Sequence, residues 1–149
     1  VICFTGDGTY MMANSELATA VMMGVDFTIV VTDNRGYGCI NRLQMGTGGA
    51  EFNNLLDHSQ HEVPSAIDFT KHAESMGANA VKVANIAELE TELATRGGKG
   101  VKVIVIDTDP YPSTEAGGYW WDVAVPETSN RDEVNEARSR YEAALKERN

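Results

Sequence analysis

The chain has 149 residues, of which 42% are hydrophobic and 23% charged, and its formal net charge is −10. That size and balance fit a single globular domain with a real core. The acidic surplus argues against a nucleic-acid partner, and no stretch approaches the roughly 18 apolar residues of a membrane span, so no membrane association is expected.

Val1–Thr5 is a short apolar run closed by Gly6, which predicts a buried parallel strand. Because this strand starts at residue 1 with no initiator Met, the chain reads as a piece of a longer polypeptide, truncated at its N-terminus. From about Tyr10 to Met23, apolar groups at Ala13, Leu17, Ala20 and Val21 recur at helical spacing, with Gly24 as the C-cap. Phe27–Thr32 is rich in β-branched residues and predicts the next buried strand. These three elements form a βαβ unit. Residues 36–66 carry Gly36, Gly38, Gly46, Gly48 and Gly49 and read as a long loop, with at most one helical turn at Ile40–Leu43.

Regularity resumes at Asp68, a predicted N-cap for a helix with Phe69, His72, Ala73 and Met76 on one face and Gly77 at its end. Ala80–Val83 is a short strand. Asn85 and Glu88 form a capping-box-like start to a helix carrying Leu89 and Leu93, stopped at Gly97–Gly98, and Val101–Ile106 is a strong strand. The repeated strand–helix alternation predicts an α/β fold, a parallel sheet sandwiched between helices, over residues 1–126. After an irregular stretch containing Trp120 and Trp121, an amphipathic helix fills the C-terminal segment 127–149. Its expected N-cap is Asn130, with Val134, Ala137, Tyr141 and Leu145 sharing a face. Cys3 and Cys39 belong to no CxxC or Cys/His cluster and read as reduced thiols in a cytoplasmic protein without a signal peptide.

The chemistry-bearing pattern is Gly6-Asp7-Gly8 after the first strand and Asp33-Asn34-Arg35-Gly36 after the second, with residues 9–33 between Gly8 and Asn34. If the two strands are parallel neighbours, the Asp7 carboxylate and the Asn34 amide emerge side by side at the sheet edge where open α/β folds bind ligands. A magnesium ion wants about six oxygens and usually borrows some from phosphate. Asp7, Asn34 and the Gly36 carbonyl supply three. Gly8 lets the backbone approach a diphosphate, and Thr9 adds a hydroxyl.

That joint pattern resembles the diphosphate-binding domain of thiamine diphosphate enzymes. The resemblance runs through Gly6–Gly38 and, more loosely, to about Asp109. It implies thiamine diphosphate and Mg2+ as cofactors, with Asp7, Asn34 and Gly36 as metal ligands and Gly6, Gly8, Thr9 and Tyr37 among the cofactor contacts. Asp33 stands where many members carry a second asparagine. The run Trp120-Trp121-Asp122-Val123-Ala124-Val125-Pro126-Glu127, together with Asn14-Ser15-Glu16-Leu17 and Ile40, is similar to members that hydrolyse a carbon–carbon bond of a cyclic 1,2-diketone in inositol breakdown. In such enzymes the catalytic glutamate belongs to a pyrimidine-binding domain of a second subunit. The resemblance therefore implies a homodimer or homotetramer, no catalytic residue in this chain, and no activity for the chain alone. A carboligase or 2-oxo acid decarboxylase of the same family is the nearest rival, and a non-catalytic binding domain is the rival from another class. Glu16 reads as a solvated or capping charge and His72 as structural. His58 and His61 read as ordinary loop polarity, with a substrate role the lesser reading. Tyr37 and Arg42 are candidates to reach a substrate.

Overall fold

Two β-branched runs form the centre of the sheet because parallel strands covered on both faces must be apolar along their whole length. In the computed structural model, which describes residues 1–63, 66–95, 98–112 and 123–147, these are β2 (Phe27–Asp33) and β4 (Val101–Asp107). Val30, Val31, Val103 and Ile104 are completely buried. β1 (Ile2–Gly6) flanks β2 and β3 (Asn79–Val83) flanks β4, giving the all-parallel order β1-β2-β4-β3.

Period-two alternation sends the two halves of each strand to different cores. Ile29, Val31, Val103 and Val105 face α1 (Asp7–Met12), α2 (Ser15–Met22) and α4 (Phe69–Ser75) through Tyr10, Leu17, Phe69 and Ala73. Val30, Val83, Ile104 and Ile106 face α5 (Ile86–Ala94) through Leu89 and Leu93. Helices thus cover both faces, as the alternation predicts. β1 is parallel, as predicted, but not the buried strand the apolar run suggests: it lies at the sheet edge with none of its residues buried, and Phe4 remains 62% exposed.

Two of the three predicted N-caps form. Asp68 Oδ1 accepts from the Lys71 N–H at 3.0 Å, and Asn85 Oδ1 accepts from the Glu88 N–H at 3.0 Å. α5 ends at Ala94 with Thr95 as C-cap, before the expected glycine stop; Gly97 lies outside the described residues. Three other expectations need correction. The helix predicted from Tyr10 to Met23 is two helices, broken at Ala13–Asn14, where Asn14 Nδ2 donates to the Met11 carbonyl at 2.7 Å. It also starts earlier, on Asp7 itself. The loop predicted over 36–66 contains a nine-residue helix, α3 (Gly38–Gly46), a 3-10 turn at Leu56–His58 and a bridge pairing Gly36 with Leu55. Finally, the C-terminal helix, α6 (Asp132–Glu147), begins beyond Asn130; the Ser129 hydroxyl, 3.1 Å from the Arg131 N–H, makes the turn into it. α6 buries Val134 and Ala137 against Val125, with Tyr141 beside them, on the face the spacing indicates.

Candidate functional site

The sheet brings the two polar turns together because β1 and β2 pair directly, in a register that sets Gly6 beside Thr32. The Thr32 hydroxyl donates across this edge to the Thr5 carbonyl at 3.2 Å. Asp7, the first residue of α1, and Asn34, the residue after β2, therefore leave the same end of neighbouring strands.

The turn after β2 is built by its own polar groups. Asp33 Oδ1 accepts from the Arg35 N–H at 2.9 Å, holding Arg35 at φ 59°, a left-handed conformation that non-glycine residues seldom adopt. Gly36 follows at φ 151°, and Tyr37 then leads into α3. The result folds the Gly36 N–H back onto Asp7 Oδ2 at 2.8 Å. Asp7 is only 5% exposed. Burial pushes its carboxyl above the ordinary value of 3.8; the Gly36 N–H opposes that shift, and the nearby Asp33 carboxylate adds to it.

One terminal atom of the Asn34 amide lies 2.9 Å from the Gly36 carbonyl oxygen and 3.2 Å from Asp7 Oδ1. With nitrogen in that place the amide donates to both, which satisfies the site without a cation. With oxygen there, a carboxylate, an amide and a carbonyl oxygen crowd one another. Neighbouring corners of an octahedral magnesium shell, with metal–oxygen distances of about 2.0–2.1 Å, stand about 2.9 Å apart. The donor set fits a hard divalent cation. Among the described residues there is no group of three or more His, Cys, Asp or Glu side chains suited to a metal, so one carboxylate and two neutral oxygens constitute the candidate site.

Gly8 lies under the Tyr37 ring, and a Cβ there would stand 2.6 Å from one ring carbon and 2.7 Å from another. Tyr37 is itself 46% exposed and free to swing. Gly8→Ala is thus expected to leave stability within about 1 kcal/mol of wild type, since alanine favours the helix while the ring is displaced. Loss of nuclear Overhauser contacts between residue 8 and the Tyr37 ring checks this; a ring that stays in place would contradict it.

The fold assembles Asp7, Gly8, Asn34, Gly36 and Tyr37 into one patch; Gly6 caps α1 from the end of β1, and Thr9 is exposed on its first turn. Glu16 is exposed on the first turn of α2, and His61 is also exposed. His72 is structural, its Nδ1 being 3.0 Å from the Tyr10 hydroxyl under the sheet. Arg42 donates Nη1 to the Pro110 carbonyl at 2.7 Å, joining α3 to the segment after β4. Trp120, Trp121 and Asp122 lie outside the described residues. Sequence reasoning missed Glu51, Asn41 and Tyr111, which come together only through the tertiary fold. On the far side of Asn34 a cavity of about 470 Å³ opens between the ends of β2, β4 and β3, with Asp33, Asp68, Lys82 and Asp107 in its wall.

Residues 1–107 match the family described as thiamine pyrophosphate enzyme, C-terminal TPP binding domain. The chain is 34% identical over 148 residues to a 3D-(3,5/4)-trihydroxycyclohexane-1,2-dione hydrolase of Listeria monocytogenes, covering 98% of this chain and 23% of that protein. It is 37% identical over 154 residues to the protein of the same name from Clostridium tetani, covering 97% and 23%. The chain thus spans about a quarter of the length of these relatives. Among solved structures, a Rhodococcus jostii thiamine diphosphate-dependent 4-hydroxybenzoylformate decarboxylase superposes with a TM-score of 0.63 at 22% identity, covering 73% of this chain and 20% of that one. A benzoylformate decarboxylase from Polynucleobacter necessarius gives 0.63 at 24% identity, covering 74% and 20%. At such identities these two matches establish the fold.

Proposed function

Because the chain belongs to the thiamine pyrophosphate enzymes, as their C-terminal cofactor-binding domain, we propose that Asp7, Asn34 and the Gly36 carbonyl hold a magnesium ion carrying the cofactor's diphosphate. The observation that carries this reading is that one terminal atom of the Asn34 amide reaches both the Gly36 carbonyl oxygen, at 2.9 Å, and Asp7 Oδ1, at 3.2 Å, between two neighbouring strand ends. Gly6 and Gly8 keep the backbone open to the phosphates, Thr9 offers a hydroxyl, and Tyr37 borders the patch.

Thiamine diphosphate, when bound, supplies carbanion stabilisation at its thiazolium ring. This chain's own contribution is to neutralise and position the diphosphate. No acidic residue here is assigned the proton chemistry of the aminopyrimidine, which belongs to a glutamate on a pyrimidine-binding domain of a second subunit. The intact oligomeric enzyme then opens the ring of a trihydroxycyclohexane-1,2-dione by hydrolysing a carbon–carbon bond, giving 5-deoxyglucuronate in cytoplasmic inositol breakdown. The names of the relatives support that substrate. No helix among the described residues is long and apolar enough to cross a membrane.

The test is product analysis with the cyclic dione on a full-length protein carrying this domain, beside calorimetry with thiamine diphosphate and Mg2+. Cofactor-dependent formation of the open-chain acid is the expected result. Carbon dioxide released from a 2-oxo acid, with no action on the dione, would move the assignment to a decarboxylase. Residues 1–149 alone are expected to show no turnover.

A further inference from the structure

Glu51, His58 and Tyr111 carry no spacing signal, because two sit in the glycine-rich stretch and the third follows β4. The fold joins them. Asn41, 3% exposed on α3, donates Nδ2 to Glu51 Oε1 at 2.8 Å and so fixes one end of the carboxylate. The other oxygen, Oε2, lies 2.8 Å from His58 Nδ1. On the opposite edge of the imidazole, Nε2 is 3.1 Å from the Tyr111 hydroxyl, and the two rings sit 6.1 Å apart.

This row is tied to the cofactor turn at one end and to α3, the helix that follows the turn, at the other. Leu55, three residues before His58, bridges Gly36; the Leu56 N–H donates to the Arg35 carbonyl at 2.9 Å, and the Tyr37 N–H to the Asn54 carbonyl at 2.7 Å. Arg42 holds the carbonyl of Pro110, the residue before Tyr111. Tyr111 is 51% exposed, so the outer end of the row stands at the protein surface.

The chemistry of the row is directional. An ionised carboxylate only accepts, so Nδ1 carries the imidazole proton and Nε2 presents its lone pair to the Tyr111 O–H. Desolvation, followed by the Glu51, Asp57 and Asp109 carboxylates, holds the phenol above its ordinary value, so it rests protonated. We propose that Glu51, His58 and Tyr111 form a proton relay whose working end is the Tyr111 hydroxyl, serving a hydroxyl-bearing ring ketone or its attacking water beside the cofactor turn. A proton leaving the ligand's O–H goes to the Tyr111 oxygen, and the phenol's own proton passes to His58 Nε2. The imidazolium so formed stands against the Glu51 carboxylate, and the reverse transfer returns the proton to the ligand. His58 and Glu51 are positioning residues. The inference rests on the function proposed above.

Glu51→Gln separates a relay from a tie between loops. The glutamine amide can donate to Nδ1, which keeps the ring in place and moves its proton to Nε2, closing the path from Tyr111. In the full-length holoenzyme, Glu51→Gln, His58→Gln and Tyr111→Phe are expected to lower kcat about 100-fold with KM nearly unchanged. 15N NMR of histidine-labelled protein is expected to show an Nδ1–H tautomer for wild-type His58 and Nε2–H in Glu51→Gln. Calorimetry is expected to show thiamine diphosphate binding unaltered in Tyr111→Phe. An Nε2–H tautomer in the wild type overturns the relay, as does wild-type kcat in Tyr111→Phe or in a tautomer-reversed Glu51→Gln. A wild-type protein that binds no thiamine diphosphate instead overturns the cofactor reading, and the tautomer measurement still decides the relay's resting arrangement.

Discussion

Asp7→Asn is expected to abolish tight binding of magnesium thiamine diphosphate while making the cofactor-free chain more stable. Burial raises the Asp7 carboxyl above 3.8, so the ionised form is held in the fold at a cost. An asparagine oxygen still accepts from the Gly36 N–H with no buried charge, while the Asn34 amide nitrogen keeps its bond to the Gly36 carbonyl and gives up the one to residue 7. Binding, by contrast, loses the one anionic ligand proposed for the metal and should fall by on the order of 100-fold or more, beyond what outer-shell substitutions cost. The pH dependence follows from linkage. A group whose folded value is raised binds more protons folded than unfolded, so stability is greatest at low pH and falls as pH rises through the window just above 3.8. Asp7→Asn removes that loss. Cofactor-free thermal melts at pH 4 and pH 7 check the first half of the prediction and calorimetry the second. A variant that melts below wild type at pH 7, or that binds the cofactor normally, would refute the assignment.

Gly36→Ala is expected to be the most disruptive single substitution in the turn. Residue 36 sits at φ 151°, and a Cβ there would run into the Asn54 carbonyl oxygen and stand 2.9 Å from Leu55 Cα. Both obstacles are backbone, so nothing swings aside as the Tyr37 ring does for Gly8. The Gly36–Leu55 bridge must part, and the N–H to Asp7 is lost with it. Backbone strain and one or two broken hydrogen bonds together amount to about 2–4 kcal/mol. Urea denaturation measures this, and cofactor affinity should fall in parallel. An alanine variant with an unchanged midpoint would mean that the turn is not held as described.

The sheet's central strands were legible because Phe27–Thr32 and Val101–Ile106 are apolar without interruption, as buried parallel strands must be. Asp7 and Asn34 were legible as a pair because the chain between them has the length of one helical crossover and one strand. The position of β4 between β2 and β3 was not, since local pattern carries no information on which edge a parallel strand joins. α3 was hidden because Gly38 and Gly46, read as breakers inside a loop, are the two ends of a helix whose buried face centres on Asn41. The break at Ala13–Asn14 left no glycine or proline to betray it. The row Glu51–His58–Tyr111 was invisible for a different reason: its members meet across 53 residues of chain, through contacts made by α3 and the segment after β4.

The insertion of β4 sets an order of events. β2 is bonded on one side by β1, its neighbour in the chain, and on the other by a strand that begins about 70 residues later. During synthesis the N-terminal unit emerges first and can pair locally, but the open edge of β2 waits for residues 101–107. Until they arrive, the Asp33 carbonyl lacks the Thr108 N–H that closes on it at 2.8 Å, and Arg42 lacks the Pro110 carbonyl. The turn carrying Asn34 and Gly36 is consequently among the last parts of the domain to become rigid, and loop closure over that distance slows the step. A nascent chain ending before β4 carries every residue of this turn but not the strand that locks it.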